Sequence, residues 1–207
     1  MTHTRRDALV ALSAVATTAL VGCDPACAGR TGSQTEGPYY PGEPEARAAI
    51  AEDRVGVPVT IELTVVARGD CTPLADAEVD LWGADADGAY SSTEDFGTEG
   101  EGWQRGQQVT DADGRVTFTA IVPGSYPGRA VHLHVKVRVA GRSELTTQVY
   151  LPDEVAAAVL AEPTYAGSAA QTLNADDRFY DDDTLLAVAA VEGTVAAGLS
   201  VSGTLIV

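Results

Sequence analysis

The amino-acid sequence predicts an all-β fold, an antiparallel β-sandwich with long loops and one short helix. Several short segments alternate apolar and polar residues, which is the pattern of strands with one buried face. Glycine, proline and aspartate separate these segments at near-regular spacing, as is typical of a sandwich. A chain of 207 residues has the length for one such domain together with a targeting segment.

The first strand is expected at residues 57–67, where β-branched residues alternate, and the second at 77–82. The acidic start of residues 153–161 complements a helix dipole, so this segment is the predicted helix. Polar, glycine-rich or acidic composition predicts a loop at 91–106, a hairpin turn at 111–114 and irregular structure at 163–183. The remaining strands are predicted at residues 116–120, 131–139, 145–151, 185–191 and 196–207.

Three regions are expected along the chain: a signal at 1–22, an N-terminal arm at 23–56 and the sandwich at 57–207. Arg5 and Arg6 precede an apolar run that is too short to span a bilayer, which indicates a signal of the twin-arginine or lipoprotein type.

The apolar run ends in a Leu-Val-Gly-Cys sequence that resembles a lipobox, with Cys23 as the lipidated residue. Ordinary cleavage nearby is the alternative. The protein is therefore expected to be exported, either lipid-anchored on the outer face of the cytoplasmic membrane or secreted. Acylation of Cys23 would leave Cys27 and Cys71 as an even pair, for which an oxidising compartment favours a disulfide, although two unpaired thiols stay open.

The charge of the chain excludes nucleic acid as a partner. Thirteen Lys and Arg residues stand against 30 Asp and Glu residues, which gives a formal net charge of −17. Binding to phosphates needs clustered cations. The same balance disfavours attraction to anionic lipid, so membrane contact is expected only through a lipid anchor on Cys23.

The motif His132-Leu133-His134 is the sharpest indication of chemistry. Alternate residues of a strand point to the same face, and the apolar residues of this strand are the odd-numbered ones. Both imidazoles therefore project side by side from the face opposite the core. Imidazole is a common transition-metal ligand, so the pair predicts a metal site.

Two histidines do not complete such a site. No third histidine follows the signal, so the other ligands must be carboxylates or phenolates. A site of two histidines and one carboxylate stays open on composition, as does zinc or copper bound by the pair. Tyr90 and Tyr126, however, lie where the chain turns towards the histidine strand.

Residues 73–150 resemble the core of the intradiol ring-cleavage dioxygenases, the family of catechol and protocatechuate 3,4-type enzymes. Residues 35–40 are also similar to the family's N-terminal stretch. The matching stretches occur in the family's order at residues 73–82, 87–91, 110–115, 122–126, 129–134 and 145–148.

The resemblance implies an Fe(III) centre, without haem, held by Tyr90, Tyr126, His132 and His134. Tyr126 would be released when substrate binds and would take up a substrate proton. In the family, such a centre uses O₂ to open a catechol-type ring between its two hydroxylated carbons, which gives a muconate-type diacid.

Two further residues have roles implied by the resemblance. Arg129 would stabilise negative charge on the bound ring, and Gln148 would orient the substrate. The expected partners are a small catechol and O₂. The sequence leaves the oligomeric state open, and a homodimer is one of the assemblies the resemblance allows, because many members of the family form dimers.

Some positions depart from the family pattern or allow two interpretations. Exported members often have His-Cys after the strand tryptophan, where this chain has Gly-Ala after Trp82; Cys27 is then the candidate partner of Cys71. Ser125 replaces a common large aromatic residue, which is expected to alter the pocket and the choice of substrate. Tyr39 and Tyr40 are expected either to line the pocket entrance or to pin the arm onto the sandwich.

The alternative function is a non-catalytic β-sandwich module of the transthyretin-like type, with or without zinc or copper at His132 and His134. Such modules share the strand and turn pattern of residues 73–82 and 110–126 but need no ligands. The presence of the six residues favours the enzyme: Tyr90, Tyr126, Arg129, His132, His134 and Gln148.

Overall fold

The computed structural model describes residues 27–40, 42, 44–140, 145–180 and 191–207, and within them the strands form two four-stranded sheets. The predicted signal and Cys23 lie outside the described residues, as does most of the strand predicted at 185–191. Within the described part of the chain, no helix has the length and hydropathy that crossing a membrane would require.

The two sheets confirm the predicted sandwich. The first sheet has the strand order β4-β1-β8-β7 and consists of β1 (Pro58–Val66), β4 (Arg115–Ile121), β7 (Val191–Thr194) and β8 (Gly198–Ile206). The second sheet has the order β3-β2-β5-β6 and consists of β2 (Glu78–Trp82), β3 (Arg105–Val109), β5 (His132–Arg138) and β6 (Leu145–Tyr150). The predicted helix is present as α1 (Asp153–Leu160).

One strand pair departs from the antiparallel pattern. Strand β8 runs parallel to β1, in a register that pairs Val59 with Leu199 and Val66 with Ile206. The other pairs within the described sheets are antiparallel. Strand β8 follows β7 through a tight hairpin, so it enters the sheet in the direction of β1.

The alternation of apolar residues places the core as predicted. The odd-numbered residues of β1 and of β5 are buried in one apolar cluster that both sheets share. Burying side chains of this size typically stabilises the fold by about 1.5–3 kcal/mol each. The even-numbered residues of β5, including His132 and His134, consequently face away from this core.

Strand β3 corrects the prediction of a loop over residues 91–106, because it begins at Arg105. Its residues are polar and do not alternate, so the strand has no recognisable sequence signal. It forms because it pairs with β2 on one side and with the arm on the other, where Arg47 N and Gln107 O lie 3.0 Å apart.

The predicted arm contributes to the packed domain through Ile50, which is fully buried. The amide of Ile50 donates to Thr119 O of β4 at 2.8 Å, and its carbonyl accepts from Gln104 N at 2.6 Å. Residues 46–50 thus link the edges of the two sheets. The boundary between arm and sandwich at residue 57 stays a prediction.

Cys27 and Cys71 form a disulfide, which confirms the favoured pairing. Their Cα atoms are 5.4 Å apart, and their sequence separation is 44 positions. The bond joins the start of the arm to the turn after β1, where Gly69 N also donates to Cys27 O at 2.7 Å.

Replacing Cys71 with serine is expected to lower the free energy of unfolding by about 2–4 kcal/mol, because the bond closes a long loop in the unfolded chain. Denaturant unfolding monitored by fluorescence, with and without reductant, measures the effect. Reductant should lower the stability of the unaltered protein by a similar amount and leave the variant unchanged. A reductant-insensitive unaltered protein would contradict the pairing.

Candidate metal centre

Strand β5 places the two predicted histidine ligands next to each other. His132 and His134 are only 2% and 3% exposed, and their Nε2 atoms lie 3.2 Å apart. Because the two residues are separated by one position in a strand, both rings project from the same face. This is the arrangement that the His-x-His spacing predicts.

Each ring is held in place by its surroundings. His132 Nδ1 lies 2.7 Å from Ala130 O, so a proton on Nδ1 donates to this carbonyl and leaves the Nε2 lone pair free for a metal. The His134 ring stacks on Trp82, with ring centroids 4.9 Å apart and an interplanar angle of 9°. Both rings therefore present Nε2 to the same point.

The two predicted tyrosine ligands meet this point from loops. Tyr126 Oη lies 3.0 Å from His132 Nε2, and Tyr90 Oη lies 3.3 Å from Tyr126 Oη. Tyr90 is buried, whereas Tyr126 is half-buried.

A close approach of two turns brings the tyrosines together. Asp85 Oδ1 accepts from Asp87 N and Ala89 N, both at 3.0 Å, and so shapes the turn before Tyr90. Gly88 in this turn has φ +84°, and a Cβ there would lie 2.6 Å from Ser125 O. Only glycine fits this position, so Gly88 lets the two tyrosine-bearing loops touch.

Burial keeps all four side chains neutral in the absence of a cation. Desolvation lowers the pKa of His132 to about 3 and lowers the pKa of His134 well below its usual value. Desolvation also raises the pKa of Tyr90 well above its usual value, and raises the pKa of Tyr126. A bound metal ion would reverse the preference of the phenols and favour phenolate.

The donor set fits ferric iron. Successive contacts of 3.0, 3.2 and 3.3 Å link the four donor atoms. These distances are close to the roughly 3 Å that separates neighbouring ligand atoms when each is bound to one metal ion at about 2 Å. Two phenolates are hard anions and would balance most of the charge of a trivalent ion. Among the described residues, no group of three His, Cys, Asp or Glu side chains is arranged to hold a metal.

Arg129 lies beside the donor atoms, as the resemblance implies. Its Nη1 donates to Tyr126 Oη at 3.2 Å, and its Nη2 donates to Gln148 Oε1 and to Tyr150 Oη, the latter at 3.3 Å. The guanidinium is largely buried and lines the cleft above the tyrosines. It is therefore positioned to stabilise negative charge next to Tyr126.

Gln148 lies opposite His134 in the β5–β6 register and is buried. Its Oε1 accepts from Arg129 Nη2 and from Tyr150 Oη, the second at 3.0 Å, and its Nε2 donates to Thr35 O at 3.1 Å. The amide thus supports Arg129 and the arm. A direct contact of Gln148 with substrate stays a prediction.

An open cleft of about 880 Å³ leads to the donor atoms. Tyr39 lines it and stacks on Tyr90, with centroids 4.7 Å apart. Tyr40 instead donates to Asp80 Oδ2 at 2.7 Å and packs against Trp82. Tyr39 therefore lines the pocket entrance, and Tyr40 pins the arm onto the sandwich, so each of the two expectations describes one of these tyrosines.

Ser125, the departure from the family pattern, is buried and lines this cleft. Its amide donates to Ser168 Oγ at 2.7 Å, and its Oγ donates to Arg129 O at 3.1 Å. The serine thus ties the Tyr126 loop to its neighbours. Its effect on substrate choice stays a prediction.

Sequence reasoning missed two residues of the site, Asp177 and Tyr150. Asp177 pairs with Arg129, but it lies in a segment for which composition indicated only irregular, acidic chain. With 30 acidic residues in the sequence, nothing distinguished it. Tyr150 could have been found from the strand period, because it lies two residues after Gln148 and shares its face.

The chain is similar in sequence to known proteins. A family model described as "Dioxygenase" matches residues 35–192. The chlorocatechol 1,2-dioxygenase of Pseudomonas sp. (strain P51) is 32% identical over 137 residues, which cover 56% of this chain and 53% of the relative. The hydroxyquinol 1,2-dioxygenase of Nocardioides simplex is 31% identical over 136 residues, which cover 56% and 45%. The chain thus spans about half the length of these curated relatives.

Solved structures are similar over most of the chain. An intradiol ring-cleavage dioxygenase from Tetranychus urticae superposes with a TM-score of 0.79 at 25% identity, covering 86% of this chain and 94% of that one. The dioxygenase domain of a dioxygenase–carbohydrate-binding protein fusion from Streptomyces sp. SirexAA-E gives a TM-score of 0.66 at 32% identity, covering 86% and 98%.

Proposed function

Because the chain belongs to the intradiol ring-cleavage dioxygenase family, we propose that it is an Fe(III)-dependent enzyme, without haem, that cleaves catechol-type rings. The ring would open between its two hydroxylated carbons, with both atoms of O₂ incorporated, to give a muconate-type diacid. One observation carries the proposal: two imidazole nitrogens and two phenol oxygens meet through contacts of 3.0–3.3 Å beside a buried guanidinium.

Tyr90, Tyr126, His132 and His134 would hold the iron. When bound, Fe(III) supplies the electron-accepting centre through which a chelated catecholate becomes reactive towards O₂. The protein side chains would bind and orient the substrate at this centre and accept its protons.

Tyr126 is the phenol that an entering substrate would contact. It is half-buried and lines the cleft, whereas Tyr90 is 1% exposed and stacked beneath Tyr39. An arriving catechol would therefore meet Tyr126 first, and the Tyr126 oxygen, as a phenolate, would accept a substrate hydroxyl proton. Tyr90 keeps its place because its ring is enclosed.

Arg129 would stabilise the anionic form of the substrate. Its Nη1 already donates to Tyr126 Oη, so displacement of the tyrosine frees this N–H for an oxygen of the bound ring. A guanidinium stays charged at any working pH. Gln148 and Tyr150 accept hydrogen bonds from Arg129 Nη2 and keep that nitrogen in place.

Replacing Arg129 with glutamine is expected to lower kcat by about 10²–10³-fold, the loss typical when a charge-stabilising donor is removed. Arg129→Lys should also be impaired, because one ammonium cannot span the same set of acceptors. Oxygen uptake by iron-loaded protein measures both variants. Arg54→Gln, at the Arg54–Asp53 ion pair, where the described contacts of the half-buried Arg54 include none of the four donor atoms, is the control and should keep the kcat of the unaltered protein. Equal activity of Arg129→Gln and Arg54→Gln would contradict the assigned role.

The test of the function is oxygen uptake across a panel of catechols, including chlorocatechol and hydroxyquinol, with metal analysis and product identification. We expect a coloured protein with one iron per chain that consumes one O₂ for each muconate-type product. Protein that stays colourless and free of iron after iron supplementation would contradict the proposal. Zinc or copper bound without oxygen uptake would instead support the metal-binding alternative.

The predicted export gains support from the Cys27–Cys71 disulfide, because such bonds persist in oxidising compartments. Lipid anchoring through Cys23 and a homodimer stay predictions.

A further inference from the structure

Asp177 is a buried carboxylate that the proposed mechanism does not use. The residue is 3% exposed and follows the short 3-10 helix Asn174–Asp176. It lies against the loop that connects Tyr126 to His132, although about fifty residues of chain separate it from that loop. A buried carboxylate is costly unless it is paired, so its partners indicate its purpose.

The partners of Asp177 all belong to the loop or to its own segment. Both Oδ atoms accept from Arg129 Nε, at 3.1 and 2.9 Å. Oδ2 also accepts from Ala130 N at 2.9 Å, and Oδ1 accepts from Phe179 N at 2.9 Å. Charge-assisted hydrogen bonds of this kind are stronger and more directional than neutral ones.

These bonds determine which way the Arg129 guanidinium faces. With Nε directed at Asp177, Nη1 is left for Tyr126 Oη and Nη2 for Gln148 and Tyr150. The planar fork cannot rotate without losing the carboxylate. Asp177 therefore holds the Arg129 guanidinium in the orientation in which Nη1–H points at Tyr126 Oη.

The same carboxylate acts on His132 through one residue. Asp177 binds the amide of Ala130, and the carbonyl of Ala130 accepts the Nδ1 proton of His132 at 2.7 Å. Partners of this type fix the tautomer and the ring orientation of a metal-binding histidine.

We propose that Asp177 is a positioning residue of the metal centre, which fixes the Arg129 guanidinium directly and the His132 ring through Ala130. The catalytic consequence rests on the proposed function, whereas the effect on the ring orientation of His132 does not.

A purely structural role would be to anchor the segment that contains Asp177. Another aspartate already does this: Asp153 Oδ1 accepts from Asn174 N at 2.9 Å, and Asp153 O accepts from Gln171 Nε2 at 2.8 Å. These two bonds do not involve Arg129 or Ala130. Asp153→Asn is thus the matched control for Asp177→Asn, since both variants remove one charge from contacts of the same segment.

The first experiment measures histidine tautomers by ¹H–¹⁵N NMR in the full-length, metal-free protein, whose sequence contains three histidines. In the unaltered protein and in Asp153→Asn, His132 should be the Nδ1–H tautomer. In Asp177→Asn, His132 should become a mixture of tautomers. An unchanged His132 signal in Asp177→Asn would overturn the proposal.

The second experiment uses iron-loaded protein. Asp177→Asn should hold iron about 10–100-fold less tightly in competition with a chelator, the usual effect of losing a group that orients a ligand. It should also lower kcat more than it raises KM, whereas Asp153→Asn should change neither iron retention nor this ratio. Equal iron retention by the two variants would overturn the proposal.

If Asp177→Asn does not fold, Asp177→Glu keeps the charge but displaces the carboxylate, and it gives the same two readouts. An unaltered protein without ring-cleaving activity would contradict the proposed function. The tautomer measurement and the chelator competition would still decide the role of Asp177.

Discussion

Replacing Tyr126 with phenylalanine is expected to lower kcat at least about 100-fold, the smallest contribution typical of a positioned acid–base group. The variant keeps the ring and its packing, but it loses the oxygen that lies 3.0 Å from His132 Nε2. That oxygen would serve both as a metal ligand and as the acceptor of the substrate proton. The visible band of the iron-loaded protein should change as well, because the variant lacks one of the two proposed tyrosinate ligands. Oxygen uptake and the absorption spectrum measure the two effects.

Tyr165→Phe is the matched control for this prediction. Tyr165 is buried, whereas Tyr126 is half-buried, and the Tyr165 hydroxyl donates to Val122 O at 2.7 Å and accepts from Val57 N at 3.0 Å, in the main core. Its loss should cost about 1–3 kcal/mol of stability and leave the visible band unaltered. A Tyr126→Phe spectrum identical to that of the unaltered protein would show that Tyr126 does not bind the iron.

Replacing His134 with alanine should abolish oxygen uptake and leave the purified protein without iron. The change removes one of two nitrogen donors and the ring that packs between Trp82 and the cleft. Because His134 is a proposed ligand, its loss should exceed the roughly 10–100-fold loss of metal affinity that changes in supporting groups cause. Metal analysis of the purified protein after iron supplementation gives the result.

The control for His134 lies on the same face of β5. Arg138 pairs with Asp80 Oδ2 at 2.6 Å and with Glu78 Oε2 at 2.9 Å, away from the four donor atoms. Arg138→Gln should lower the stability of the fold, because it leaves Asp80 buried without its cation, but it should retain one iron per chain. Iron retained by His134→Ala at the level of Arg138→Gln would count against the site.

Alternation along the strands was enough to predict the sandwich and to place the histidine pair. Val131, Leu133 and Val135 are buried in the core, so the two histidines between them had to face the other way. The tyrosines could not be placed by periodicity, because they lie in loops. The resemblance predicted that the tyrosines lie beside the histidines. The close approach of Gly88 to Ser125 explains how the two loops bring them there.

Other features depend on contacts that no local pattern encodes. Arg105 begins a strand only because β2 and the arm provide partners for its backbone and side chain. The parallel pairing of β1 with β8 joins the two ends of the sandwich domain. Asp177 reaches Arg129 across a separation of 48 residues, and nothing in the acidic stretch around it marks it out.

In the proposed centre, two phenols and two imidazoles bind one ferric ion. Anomalous diffraction from crystals of the iron-loaded protein, recorded on both sides of the iron absorption edge, tests it most directly. We expect a single iron peak within about 2.2 Å of Tyr90 Oη, Tyr126 Oη, His132 Nε2 and His134 Nε2. A peak bound by the histidines with neither phenol in reach, or a peak elsewhere in the molecule, would contradict the account.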